Sequence, residues 1–553
     1  MTPNPIVRRE LLELLRTRHA AAAQLILAAA CAALVLVRWP TEGVSDLGGA
    51  RSVQVLRVFG YGLLAGVVFL VPAYPATAIV RERVKGTLAL LLNSPLTPLA
   101  IYHGKLGGVL GFTALLLLMT APAAAACHAL GGAPVRGGVA LLYLVLAAAA
   151  VQLAALALWV SGRARSTDAA LRAAYALAIG VCAVPLVPAW LVEGDTGLLG
   201  DAANWVRCVS PVPAVMEVLG QGGVGSQGLT TATGAVPRYL LLAALLSTLC
   251  AVRTVRTLSR SPLDIARPPD VMTDDRSARD RRRRRLVFLV DPNRRARPIS
   301  RWVNPVMVKE FRTRRFGRGH WTLRLIAGCA VLSLGLTYVA AAGAVDWGPG
   351  RIGAALVLLQ TALLLLFAPS LAAGLISSER EGGGWTLLRS TPLSPGRILR
   401  GKLLSAAWPL LLLMCATLPG YVVMMTASPE LAPQAQRALI CLAATAVFAV
   451  LLGAAASSLA RTTAAAMAAA NVVLVAVCAG PLLVWLGRDA PFGHAAVEAA
   501  LAVSPVAAAL HAAEAPGFTE YDLLPANWYA VGAACAVLLA VLVLRVRRLG
   551  RPE

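Results

Sequence analysis

ERVKGTLALLLNSPLTPLAIYHGK, residues Glu82–Lys105, and EREGGGWTLLRSTPLSPGRILRGK, residues Glu379–Lys402, are two versions of one pattern. They align without a gap. Glu82-Arg83 corresponds to Glu379-Arg380, Gly86 to Gly383, and Ser94-Pro95 to Thr391-Pro392. Pro98 corresponds to Pro395 and Gly104-Lys105 to Gly401-Lys402. Three further pairs follow in the same order: NPIVRRE (Asn4–Glu10) with NPVMVKE (Asn304–Glu310), SGRARST (Ser161–Thr167) with SSLARTT (Ser457–Thr463), and VSPVPA (Val209–Ala214) with VSPVAA (Val503–Ala508). Self-similarity at a fixed spacing marks a repeated structural unit. The chain reads as a duplication.

The units lie in membrane. The chain of 553 residues is 58% hydrophobic and only 14% charged, and its mean hydropathy is +0.70. Soluble domains are about half apolar and about a quarter charged. A helix that crosses the hydrocarbon needs roughly 20 mostly apolar residues. About twelve stretches qualify, near 20–38, 57–80, 106–130, 137–160, 170–192, 238–255, 323–343, 352–376, 403–426, 438–460, 464–486 and 527–545. The expected fold is therefore an all-α integral membrane protein with about twelve transmembrane helices, a parallel duplication of a six-helix unit. The expected domains are a first unit over 1–255, a basic linker over 256–303 and a second unit over 304–553. Six spans is an even number, so both units enter the membrane from the same side.

Charge orients the chain. With the N-terminus in the cytoplasm, most of the 51 Lys and Arg residues fall in cytoplasmic segments, whereas the 27 Asp and Glu residues divide about evenly. That is the positive-inside pattern. It places both termini, the two repeated loops and the linker inside, in a multi-pass protein of the cytoplasmic (inner) membrane. The net charge of +24 is then a topology signal rather than a nucleic-acid footprint, because the basic residues are spread over short loops facing one side. The linker contains RDRRRRR, Arg279–Arg285. A block of like charge is a solvated tether, or a contact with anionic membrane lipid.

Several chemistries lack their residues. No GxxxxGK[ST], HExxH or GxSxG occurs, the six histidines are scattered, and no CxxC is present. Gly104-Lys105 and Gly401-Lys402 lack the phosphate-cradling glycine upstream. The glycine-rich Gly220–Gly228 falls in an outer loop. Of the ten cysteines, only Cys208 sits clearly in an outer loop. The first apolar stretch follows a long charged lead and reads as a retained span rather than a signal peptide. No catalytic residue, cofactor site or metal site is expected in this chain.

The repeated loops are where function is expected. Ser94 and Thr97, like Thr391 and Ser394, suit helix N-caps, with Pro98 and Pro395 at the first helical position. Each loop should hold two short helices with a break fixed by Pro95 or Pro392. Glu82 and Glu379 should close a membrane helix on a partner-facing side. The segment NPIVRRELLELLRTR carries Val7, Leu11, Leu14 and Leu15 on one helical face, fit for the membrane interface or for an extension of the first span.

The pattern ER…GT…LL…SPLTP…I…GK resembles the cytoplasmic loop of ABC type 2 permeases, the membrane subunits of ATP-binding-cassette exporters, and the second copy resembles it equally. The resemblance implies a fused pair of six-span permease units. It implies that Glu82, Arg83, Gly86, Ser94, Pro95, Pro98 and Lys105, with Glu379, Arg380, Gly383, Thr391, Pro392, Pro395 and Lys402, belong to loops that couple to a separate ATPase subunit. ATP and Mg would be bound by that partner. Gly383-Gly384-Trp385 departs from the usual Gly-Thr and puts equal roles for the two loops in doubt. The competing readings are a secondary transporter of the major facilitator kind, a membrane-embedded enzyme and a scaffold. Major facilitator carriers also have two parallel six-helix halves, but spans nearly empty of ionisable residues argue against ion coupling.

Overall fold

The computed structural model describes residues 4–16, 50–129, 138–164, 167–191, 197–220, 234–260, 304–313, 349–427, 429–486 and 493–549, with isolated positions near 24, 29 and 327–335. Among the described residues every regular element is helical. The chain divides into two compact units, Met1–Ile265 with Leu483–Ala495, and Ala266–Leu482 with Ala496–Glu553.

The first unit contains α1 (Pro5–Leu15), α2 (Ala50–Leu70), α3 (Ala73–Val84), α4 (Thr87–Leu92), α5 (Pro98–Ala129), α6 (Ala140–Arg163), α7 (Thr167–Ala183), α8 (Leu186–Leu191), α9 (Leu198–Arg207), α10 (Pro211–Val218) and α11 (Ala235–Arg260). Its centre is α6, packed against α2, α3, α5, α7, α10 and α11. The sequence of α6 is rich in Ala and Leu and apolar on every face, the pattern of a buried helix. Its one amide side chain is satisfied inside the unit. Gln152 Nε2 donates to the Val209 carbonyl at 3.1 Å, and Tyr239 donates to Gln152 Oε1 at 3.0 Å.

The second unit contains α12 (Pro305–Thr313), α13 (Pro349–Ala372), α14 (Ser377–Glu381), α15 (Gly384–Arg389), α16 (Pro395–Ala427), α17 (Ala432–Leu459), most of α18 (Thr463–Leu486) and of α19 (His494–Val503), α20 (Pro505–Ala512) and α21 (Leu524–Leu549). Here α17 is central, packed against α13, α16, α20 and α21.

Nine described helices are long and apolar enough to cross a membrane, which accords with an integral membrane protein. They coincide with expected stretches two to four, six, eight to eleven and twelve. The fifth, 170–192, is α7 and α8, interrupted at Val184-Pro185, and only Ala169–Ala183 forms a shorter apolar helix. The first, 20–38, and most of the seventh, 323–343, lie outside the described residues, as does most of the linker.

The two VSP segments, which fall between expected spans, form structure that span-length reasoning misses. Ser210 accepts from the Val212 amide at 3.2 Å and heads α10, with Pro211 first. Ser504 accepts from the Ala507 amide at 3.2 Å and heads α20, with Pro505 first. Each hydroxyl also donates 2.8 Å to a carbonyl, of Cys182 and Cys478 respectively. The axes of α19 and α20 differ by 105°, a sharp bend between two short apolar helices.

Cys208, expected in an accessible outer loop, is 1% exposed. Burial pushes its thiol up against the opposing pull of Arg207 and Arg238. The thiolate is the reactive form. In intact cells Cys208 should therefore stay unlabelled by an impermeant maleimide near neutral pH and become labelled after denaturation. Rapid labelling of the folded protein would contradict this burial.

Candidate functional site

The repeated loops close a junction that draws together four segments of each unit: the N-terminal helix, the end of the second span, the start of the third and the end of the fourth. In the first unit the helix ending at Val84 gives way to Gly86, whose φ of +75° reverses the chain into α4. In the second unit Gly383, at φ +72°, does the same before α15. A side chain in this left-handed region is strained by roughly 1–2 kcal/mol, so glycine is the residue for the turn.

The second half of each loop differs from the sequence expectation. One short helix forms, not two. After it the chain turns at Ser94-Pro95 or Thr391-Pro392, and Pro98 and Pro395 open α5 and α16, which run on through the membrane segment without interruption. Thr97 accepts from the Ala100 amide at 3.2 Å and Ser394 from the Arg397 amide at 3.4 Å, so both cap the long helix. Ser94 and Thr391 do not act as N-caps. Their hydroxyls donate 2.6 Å backwards to the carbonyls of Leu91 and Leu388, closing the short helix instead.

Gly-Lys has two tasks. A Cβ on Gly104 would stand 2.6 Å from Ile6 Cβ, and one on Gly401 would stand 2.6 Å from Asn304 Oδ1. The glycine admits the N-terminal helix; the lysine then holds it. Lys105 Nζ lies 2.9 Å from Glu10 and 3.7 Å from Glu82, with 1% of its side chain exposed. Arg9 completes the cluster 3.0 Å from Glu82. In the second unit Lys402 Nζ lies 2.6 Å from Glu310 and 3.4 Å from Glu379, and Lys309 lies 2.6 Å from Glu379. Asn4 and Asn304 fasten the same contact. Each side chain caps its own helix through the Ile6 or Val306 amide at 3.0 Å, and each donates 2.7 Å to a carbonyl of the opposing helix, Ala100 or Arg397.

Ser161 and Ser457 each receive two adjacent backbone amides of the helix that leads into the loop, within α3 in the first unit and at the start of α14 in the second. Ser161 Oγ accepts from the amides of Ile79 and Val80 at 3.0 and 3.1 Å, and Ser457 Oγ from those of Ile376 and Ser377 at 2.9 Å. The neighbouring arginines return the favour at the end of the fourth span. Arg83 donates to the carbonyls of Gly162 and Ala164 at 2.6 and 3.0 Å, and Arg380 to Ala460 at 3.2 Å and Ser458 at 3.5 Å. Terminal carbonyls have no intrahelical partner, so these bonds seat the loop on the helix end.

Three of the four carboxylates are buried, and Glu379 is partly exposed, with 16% of its side chain accessible. Glu82 is 4% exposed, Glu10 8% and Glu310 4%. Their work is inside the junction, positioning the loop. Sequence reasoning singled out Glu82, Glu379 and both lysines but passed over Glu10, Glu310, Asn4, Asn304, Ser161 and Ser457. Their signal was present in the repeated words NP…E and S…AR.

No family model matches the chain. A stretch of 127 residues is 35% identical to the probable ABC transporter permease protein NosY of Pseudomonas aeruginosa. This stretch resembles an ABC transporter permease. It covers 22% of this chain and 45% of that relative, so the likeness spans less than half the length of the protein it matches.

Leu90 and Leu387, at corresponding places in the two short helices, are each 72% exposed, and Val84 and Leu99 are exposed beside Leu90. The two loops also differ. Thr87 donates to the Glu82 carboxylate. Gly384 stands at that place in the second loop, and Trp385 Nε1 instead donates 3.3 Å to the Leu549 carbonyl at the end of α21. One loop is latched onto its own glutamate and the other onto the last helix of its unit.

Proposed function

We propose that this chain is the membrane permease of an ATP-binding-cassette exporter of type 2, made of two six-helix units fused in parallel, with a separate nucleotide-binding subunit that supplies ATP hydrolysis. The units are 1–255 and 304–553, joined by the basic linker 256–303. Both termini, the linker and the repeated loops face the cytoplasm, and the loops receive the ATPase. The observation that carries this reading is the junction itself. Two loops separated by nearly three hundred residues are built with the same left-handed glycine, the same buried lysine between two glutamates and the same exposed leucine. A plain connector has no need of so many shared contacts. The partial likeness to a permease supports the same assignment.

ATP and Mg belong to the partner in this reading, and the cargo is left open. The mechanism is mechanical. Movement of the bound ATPase pulls on α4 and α15. The Lys-centred clusters tie those loops to α1 and α12 and to the starts of α5 and α16, so the membrane helices follow as units.

The chain reconstituted alone in lipid vesicles should hydrolyse no ATP. Vanadate-sensitive hydrolysis should appear when the cognate nucleotide-binding subunit is added. Sustained hydrolysis by the chain alone, with contaminating ATPases excluded, would overturn the assignment.

A further inference from the structure

The first unit carries an apolar furrow of about 490 Å³ between α5 and α6. Ala114, Ala121, Ala124 and Ala125 with Leu117 and Leu118 form one side, and Val139, Ala140, Tyr143 and Ala147 the other. Small side chains make the hollow. The gapless register of the two loops continues along the helices that follow them: Gly104-Lys105 pairs with Gly401-Lys402, Thr120 with Thr417, and Pro122 with Pro419. In that register the four alanines of α5 correspond to Leu411, Leu418, Tyr421 and Val422 of α16. At these four positions the second unit carries bulkier side chains, whereas Leu118 corresponds to the smaller Cys415.

The furrow makes no polar demand. Tyr143 donates to Thr120 Oγ1 at 2.7 Å, and Thr120 passes its own proton to the Leu117 carbonyl at 2.6 Å. Water in such a place finds no partners, and apolar cavities stay dry. Left empty, the lining atoms would lose their dispersion contacts. Both walls belong to helices long and apolar enough to cross a membrane, so the surrounding medium is hydrocarbon. The volume equals that of roughly sixteen waters at about 30 Å³ each, and a methylene is of similar size. One alkyl chain of ordinary lipid length fits.

We infer that the furrow holds one acyl chain of a membrane phospholipid, seated as a fixed apolar filling of the first unit. This rests on the chain crossing a membrane and is independent of its transport role.

The full chain in nanodiscs of phosphatidylethanolamine and phosphatidylglycerol, doped with a phosphatidylcholine bearing a diazirine in mid-acyl chain, tests this directly. After irradiation, adducts are mapped by mass spectrometry. Adducts on 114–125 and 139–147 should be several-fold denser than on α21, whose spanning window is only 17% buried. The variant A121L/A125V installs the second unit's residues. It should lower furrow adducts several-fold and leave those on α21 unchanged. Should that variant fail to fold, A114L, at an exposed edge, and the parent map decide. Furrow adducts no denser than those on α21, or unchanged by filling, would overturn the inference. So would a furrow shielded from lipid altogether, since its occupant would then be something else.

Discussion

Replacing Lys105 by Met is expected to destabilise the first unit by about 3–5 kcal/mol, the range for a buried pair that loses one member. The ammonium is 1% exposed and sits between Glu10 and Glu82. Met keeps most of the volume and removes the charge. Glu82 retains Arg9 at 3.0 Å, so Glu10 is the carboxylate left most in need of compensation. Adding Glu10→Gln should therefore recover part of the loss, because what costs most is the uncompensated charge rather than the missing bond. Lys402→Met should act alike in the second unit, through Glu310 and Glu379. Denaturant unfolding in detergent micelles reads the difference. A Lys105→Met protein as stable as its parent would show that the cluster does not hold the junction.

Leu90→Asp combined with Leu387→Asp is expected to weaken assembly with the proposed nucleotide-binding subunit strongly while leaving the chain folded. Both side chains are 72% exposed, so neither stabilises its own unit much. Covering a leucine is worth roughly 1.5–3 kcal/mol, and about 1.4 kcal/mol is tenfold in affinity. Losing two such contacts should weaken recovery of the partner in a pull-down by about a hundredfold or more. The single variants should differ, because the first loop is latched by Thr87 to Glu82 and the second by Trp385 to the Leu549 carbonyl. Undiminished recovery by the double variant would remove these helices from the docking face and leave the loops as connectors.

Glu82 shows how a residue can be marked by the sequence while its surroundings stay hidden. Its charge, its place at a helix end and its duplicate at Glu379 all marked it. A charged residue at the end of a membrane helix invites an outward reading. Only packing shows that α1 folds back over it and that Arg9 and Lys105 face it from either side. Pro98 and Pro395 were legible because proline at a first helical position acts locally. Ser94 and Thr391 were misassigned for the same reason in reverse. A hydroxyl beside a proline can bond forwards or backwards, and the end of the preceding short helix settled the direction.

The sequence by itself determined what depends on composition and on local order. Long apolar stretches make helices that cross hydrocarbon, since no other open arrangement satisfies the backbone there. Repeated words mark corresponding segments, and glycine stands where the backbone must turn left-handed. The tertiary structure alone decided which repeated residues meet. Lys105 bonds Glu10 across a sequence separation of 95 residues, and Lys402 bonds Glu310 across 92. It also decided that α19 and α20 meet at a 105° bend, for each alone is too short to register as a span. The physical reason is the range of the forces. Periodicity and propensity report each residue's own turn of helix. The partner of a buried charge is chosen by whichever distant helix packs close enough to exclude water, and that is a property of the assembled core.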